Sequence, residues 1–191
     1  MKVLNVLEEL HIPYMISGSV GSMLYGEPRM TNDIDIVIEL ETAKVKELLG
    51  RFDEEQYYYP SLDFVEESVR RKDQFNIIHI ESGSKVDIII KKTTEFAEVE
   101  FSRKKQVPFT EDFEAFTASP EDIILSKMAF YHLGSSEKHI KDIVSMLIIS
   151  GDQIDRDYLT EWIDRFGYRE IWEIIRDKLS QLSPPGTPCA K

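Results

Sequence analysis

Little in this chain points to cross-linking or to a membrane. One cysteine, Cys189, stands among 191 residues, so no intrachain disulfide can form. With four histidines and no His/Cys cluster at ligand spacing, a structural zinc site is not expected either. No apolar run approaches the roughly 20 residues that span a bilayer. The opening residues carry Glu8 and Glu9 inside their apolar pattern, unlike a signal peptide, and a cytoplasmic location is expected. Positive charge is scarce as well: 23 Lys and Arg against 35 Asp and Glu leave a formal charge of -12. That balance argues against indiscriminate nucleic-acid binding, though it leaves room for a local basic groove.

What is present is the pattern of a globular chain. Hydrophobic residues make up 42% and charged residues 30%, which suits one domain with a buried core, with or without a helical extension. Val3, Leu4, Val6, Leu7 and Leu10 recur at helical spacing, so residues 2–11 should form an amphipathic helix that ends at His11-Ile12-Pro13. A strand from Tyr14 to Ser17, a helix over 19–25 and an acidic strand reaching Leu40 follow. Thr42 and Ser61 read as N-caps of two further helices, with Tyr57-Tyr58-Tyr59-Pro60 as a connector. Phe75–Ile80 and Lys85–Ile90 are β-rich runs around Glu81-Ser82-Gly83-Ser84, the pattern of an antiparallel hairpin. A helix over 94–105 and a strand over 106–109 come next. From residue 117 the texture is helical only. Ser119-Pro120-Glu121-Asp122 supplies a cap, a proline at the first helical position and acids in the first turn. Further helices are expected over 137–149, 155–166 and 168–181. The expected division is a core over 1–112, a helical region over 117–182 and a Pro-rich disordered tail over 183–191.

Two stretches carry chemistry. Ser17-Gly18-Ser19-Val20-Gly21-Ser22 is a glycine-serine turn, and after a loop comes Asn32-Asp33-Ile34-Asp35-Ile36-Val37-Ile38. Residues two apart on a strand share a face about 6.6 Å apart. Asp33 and Asp35 therefore stand side by side, able to serve one divalent cation or a pair roughly 3.5–4 Å apart. Ser19 reads as an N-cap, and free N–H groups at such a helix start favour an anion; capping alone is the plainer reading. A third acid, Asp87, lies in a strand where Val86, Ile88 and Ile90 share one face, so Asp87 points with Ile89 to the other. An acid in so apolar a strand needs a partner, because an unpaired buried polar group is costly.

With Gly18-Ser19, Asp33-Ile34-Asp35 and Asp87 in this order, the chain resembles the DNA polymerase β-like nucleotidyltransferase superfamily. More narrowly, over about 1–150, it resembles the minimal nucleotidyltransferase-like proteins related to type IV abortive-infection toxins. Arg29 and Thr31 match the loop of those relatives, and Pro120-Glu121-Asp122 with Lys127 match a shared helix. The resemblance implies an α+β fold: a mixed sheet flanked by helices, then a C-terminal helical region. It implies metal-dependent transfer of a nucleoside monophosphate from an NTP to an acceptor hydroxyl. Asp33, Asp35 and Asp87 would be the catalytic, metal-ligating acids for two Mg²⁺ ions, with Mn²⁺ as a substitute. Gly18, Ser19, Arg29 and Lys127 would bind nucleotide. Phosphoryl transfer needs alignment and neutralised oxyanion charge, which this residue set suits.

Other positions stay open between two readings. At about 100° per residue Lys127 falls inside an apolar stripe, where its ammonium snorkels to the rim or faces a cleft holding negative charge. Asp142 lies opposite the stripe of Ile140, Ile143, Val144 and Leu147. It matches an acid that orients the lysine in relatives, or it is a solvated helix face. His139 departs from the acid that relatives carry there. Arg29 is a phosphate contact or a surface charge, and Tyr57–Tyr59 stack on a base or simply pack. The toxin-like resemblance implies a tRNA 3′ end as acceptor and an antitoxin partner. Arg70-Arg71-Lys72, Lys91-Lys92 and Arg103-Lys104-Lys105 would then track RNA, unless they are solvated ends of helices and strands. A small molecule such as an aminoglycoside, or a protein side chain, is the other acceptor. A non-catalytic nucleotide-binding module on the same fold is the remaining alternative.

Overall fold

Alternating aspartate and isoleucine give residues 33–38 one polar and one apolar face, and much of the chain is laid out around that strand. The structure is a computed structural model that describes residues 2–182; Met1 and the expected tail 183–191, with Cys189, lie outside the described residues. The described residues divide into two units. One comprises the chain up to Val20 with Met30–Ser119, the other Gly21–Arg29 with the residues from Pro120 onward.

In the first unit, α1 (Lys2–Glu9) stops ahead of Pro13 and leads into β1 (Tyr14–Ile16) and the start of α2 (Gly18–Tyr25). β2 (Asp33–Ile38), α3 (Thr42–Leu49), β3 (Tyr57–Tyr58), α4 (Leu62–Arg71), β4 (Gln74–His79) and β5 (Lys85–Ile90) follow. α5 (Glu95–Ser102), β6 (Lys105–Thr110) and β7 (Phe113–Thr117) complete it. Among the described residues the strands form one seven-stranded sheet in the order β3-β4-β5-β2-β1-β7-β6. It is mixed: β2 runs parallel to β5 and β1 parallel to β7, while the remaining pairs are antiparallel. The expected α+β class holds.

The period of two separates the faces of this sheet. Tyr14, Ile16, Ile36, Ile38, Ile77, Ile88 and Ile90 form a buried core with Val6 and Leu7 of α1, Leu48 of α3 and Val65 of α4. The opposite face carries Asp33, Asp35, Lys85 and Asp87, as the register of β2 against β5 requires.

Three local expectations are corrected. Thr42 is the first residue of α3, and Glu41 precedes it as N-cap without a side-chain bond. Tyr57 and Tyr58 are an edge strand on β4, with the Tyr57 ring against Phe52 and His79. Phe113–Thr117, with its first four residues in no expected element and its last in the expected helical region, is β7, held between β1 and β6. Ser61 caps α4 as expected, accepting a hydrogen bond from the Phe64 N–H.

The second unit contains the end of α2 and the helices α6 (Pro120–Gly134), α7 (Glu137–Ser150), α8 (Arg156–Phe166) and α9 (Arg169–Leu182). Proline opens α6 where its missing N–H costs nothing. The buried acids that follow tie the helices together: Glu121 accepts from the Asp155 N–H at 2.8 Å, and Asp122 accepts from the Tyr158 hydroxyl at 2.6 Å. The end of α2 is pinned to α7, with the Ser150 hydroxyl donating to Tyr25 O at 2.8 Å and the Glu27 N–H donating to Ser145 Oγ at 2.6 Å. Among the described residues no helix is long and apolar enough to cross a membrane.

Candidate active site

Parallel pairing of β2 with β5 sets Asp33 beside Lys85 and Asp35 beside Asp87. Paired residues of neighbouring strands share a face, so these four side chains form a compact array. Lys85 Nζ lies 2.8 Å from Asp87 Oδ2 and 3.7 Å from Asp33 Oδ1. Asp87 is the more sheltered of the two acids, with 17% of its side chain exposed against 55% for Asp33. The hydrogen bond to Asp87 is the main reason the Lys85 ammonium is held above its ordinary range. Partial burial works against this, and the charges of Asp87, Asp33 and Asp35 add to it. The strand starts are fixed by the backbone: the Lys85 N–H donates to Asn32 O at 3.0 Å, and the Ser17 N–H donates to Asp35 O at 2.9 Å. Thr31 steadies Asp33 from the loop, its hydroxyl donating to Asp33 O and accepting from the Asp33 N–H.

Gly18 meets this array directly. Its φ is +59°, and a Cβ there would fall 1.8 Å from Asp35 Oδ2. Only glycine lets the backbone turn into α2 this close to a carboxylate. Ser19 was expected as N-cap; α2 instead opens at Gly18, so Ser19 lies in the first turn. The left-handed turn at Gly18 brings the helix start forward by one residue.

The donor set suits a hard divalent cation: carboxylates only, with an ammonium already at the point that two of them share. Among the described residues, though, no group of three His, Cys, Asp or Glu side chains is arranged to enclose a metal ion. Lys85 stands between Asp33 and Asp87 instead. Sequence reasoning passed over this lysine, although the alternation that turned Asp87 out of the core turns Lys85 to the same face. It is the partner that an acid in so apolar a strand requires.

The second unit holds its own charged cluster. Lys127 Nζ donates to Asp142 Oδ2 at 2.6 Å, and Arg29 donates to both Asp142 oxygens at 3.3 Å. Only 4% of the Lys127 side chain and 12% of the Asp142 side chain are exposed. Burial pushes the Lys127 ammonium below its ordinary range, and pairing with Asp142 restores only part of that. Burial pushes the Asp142 carboxyl up, but the bonds from Lys127 and Arg29 outweigh it and hold the group low. Neither a solvated helix face nor a snorkelling lysine describes this pair. His139 stacks on Phe130 at 5.6 Å, its Nδ1 buried without a hydrogen-bond partner among the described residues. Beside the cluster lies a cleft of about 380 Å³ lined by Glu27, Arg29, Lys138, Lys141, Asp142 and Ser145, with three cations and two carboxylates at its wall.

A family model described as a nucleotidyltransferase of unknown function (DUF6036) matches residues 2–171. No curated protein matches this sequence. Among solved structures, the antibiotic-resistance factor ANT(2″)-Ia in complex with adenylyl-2″-tobramycin superposes with a TM-score of 0.57 at 14% identity, over 88% of this chain and 95% of that one. Lincosamide antibiotic adenylyltransferase LnuA with lincomycin bound gives 0.52 at 15% identity, over 77% and 93%. A nucleotidyltransferase-like protein from Paracoccidioides brasiliensis gives 0.52 at 20% identity, over 76% and 72%. At such identities the likeness shows the fold. The family model supports the nucleotidyltransferase membership expected from the sequence; the narrower toxin branch has no such support.

Proposed function

As a member of the nucleotidyltransferase family (DUF6036) whose model spans residues 2–171, the chain is a nucleotidyltransferase, and we propose that it transfers a nucleoside monophosphate from an NTP to the hydroxyl of a small molecule. The observation that carries this reading is the array of Asp33, Asp35 and Asp87 on adjacent parallel strands against Gly18. The acceptor oxygen attacks the α-phosphorus, the bond to the β-phosphate breaks, and pyrophosphate leaves. The acceptor's proton passes to a carboxylate of the array. Mg²⁺ held by Asp33, Asp35 and Asp87 would supply charge neutralisation on the phosphates. Gly18 and Ser19 present backbone donors at the start of α2.

For the second unit we assign phosphate contact to Arg29, with Lys138 and Lys141 at the same cleft. Lys127 is too buried to meet a ligand; it positions Asp142, which in turn orients Arg29. A small acceptor is preferred to tRNA because several members of the basic clusters are engaged within the chain. Arg70 and Arg71 pair with Glu66 and Glu67 of their own helix, Lys91 joins Glu39 to Glu98, and Lys104 lies over the Phe101 ring. With a net charge of -12, little positive surface is left to track RNA. The tRNA acceptor, and an antitoxin with it, thus has less support.

The test is incubation with α-labelled NTPs, Mg²⁺ and either a panel of aminoglycosides, lincosamides and other polyols or total tRNA, beside Asp35→Ala. Label on a small acceptor, absent in the variant, is the expected result. Label on tRNA alone would overturn the acceptor assignment. Nucleotide binding without transfer to any acceptor would favour a regulatory module.

A further inference from the structure

The array of three carboxylates and one ammonium has a consequence for how a cation enters it. We propose that Lys85 is a built-in competitor for the cation site: its ammonium occupies the junction of Asp33 and Asp87, and a divalent cation binds there by displacing it. The inference rests on the metal-dependent reading given above.

Lys85 reaches the junction because of register. It is the β5 partner of Asp33 and stands two residues before Asp87 on the same strand, so its side chain lies beside both acids. Nζ is hydrogen-bonded to Asp87 Oδ2 at 2.8 Å and within ion-pair range of Asp33 Oδ1 at 3.7 Å. Without it, adjacent strands would hold like charges side by side, which destabilises a sheet. Lys85 offsets that repulsion, so the strand pairing does not depend on a bound ion.

The same contact makes the lysine removable. A cation on Asp87 Oδ2 would lie within a few ångströms of Nζ, where like charges repel, so the two cannot share that oxygen. About a third of the Lys85 side chain (32%) is exposed, and its strand is held by main-chain bonds on both sides. The ammonium can therefore swing into water while the backbone stays in place. Lys127, sealed on Asp142, has no such exit.

Two measurements on the full chain test this. Mn²⁺ binding without nucleotide, followed by electron paramagnetic resonance, should be about fivefold tighter in Lys85→Met than in wild type, the worth of one partly exposed ion pair. Equal or weaker binding in Lys85→Met overturns the competition and leaves the metal-dependent reading standing. No Mn²⁺ binding by either protein, with or without NTP, overturns that reading and the inference together. Because removing any nearby positive charge favours a cation, the second measurement is made on wild type. Lysine-selective NMR should show the Lys85 Nζ–Asp87 hydrogen bond lost as Mg²⁺ saturates. A Lys85 Nζ signal unchanged at saturation overturns direct displacement.

Discussion

Two lysine–aspartate pairs of similar length behave in opposite ways. Lys85 and Asp87 meet at 2.8 Å on the polar face of the sheet, Lys127 and Asp142 at 2.6 Å among the helices. Pairing raises the first ammonium above its ordinary range, whereas burial lowers the second despite an equally good partner. Water makes the difference. Where it reaches the pair, attraction comes almost free and either member can leave; where it does not, both charges carry a desolvation cost and hold each other in place. The open pair is suited to exchange with a ligand and the sealed pair to holding geometry.

The largest expected effect separates chemistry from scaffold. Asp35→Asn should lower kcat/KM for nucleotidyl transfer by more than about 100-fold with a melting temperature near that of wild type. A fold-wide loss of stability instead would make the acidic strand structural. Next, Lys127→Ala should lower unfolding free energy by about 2–4 kcal/mol, since it leaves the largely buried Asp142 carboxylate with Arg29 as its remaining partner, whereas Lys85→Ala should stay within about 1 kcal/mol of wild type. Equal losses in urea denaturation would erase the contrast between the pairs. Gly18→Ala should cost about 1–3 kcal/mol for a left-handed residue, with activity reduced because the new methyl must push the Asp35 carboxylate aside. The smallest effect is a pH dependence. The unfolded chain protonates Asp142 near its ordinary value of 3.8, the folded protein only at lower pH. The stability that this carboxylate contributes is thus complete above the unfolded value and is lost as pH falls through the folded one. Acid loss of stability below pH 3.8 should be steeper in wild type than in Asp142→Asn.

Much of the acidic site was legible because a strand has a period of two. Alternation in Asp33–Ile38 and in Val86–Ile90 put all three carboxylates on the non-core face, as observed. The same rule extended by one residue finds Lys85. The helical region was readable from Pro120-Glu121-Asp122 and from the apolar stripe of α7. β7 and β3 were not, for a physical reason: each is short, and Phe113–Thr117 becomes a strand through pairing, locally with its hairpin neighbour β6 and across a long stretch of chain with β1. Asp142 shows the limit most clearly. On its own helix it lies away from the apolar stripe, yet it is nearly buried, because Lys127 and Arg29 converge on it.

By itself, then, the sequence determined the periodicities: which residues turn together to one face, and where proline stops or starts a helix. Those follow from backbone geometry and local sterics, which each segment carries with it. Only the tertiary structure decided which charges meet and how much water they keep. Lys85 and Lys127 are the same side chain with the same kind of partner. Residues distant in sequence close over Lys127 and leave Lys85 open, and that exclusion of solvent separates a fixed ion pair from an exchangeable one.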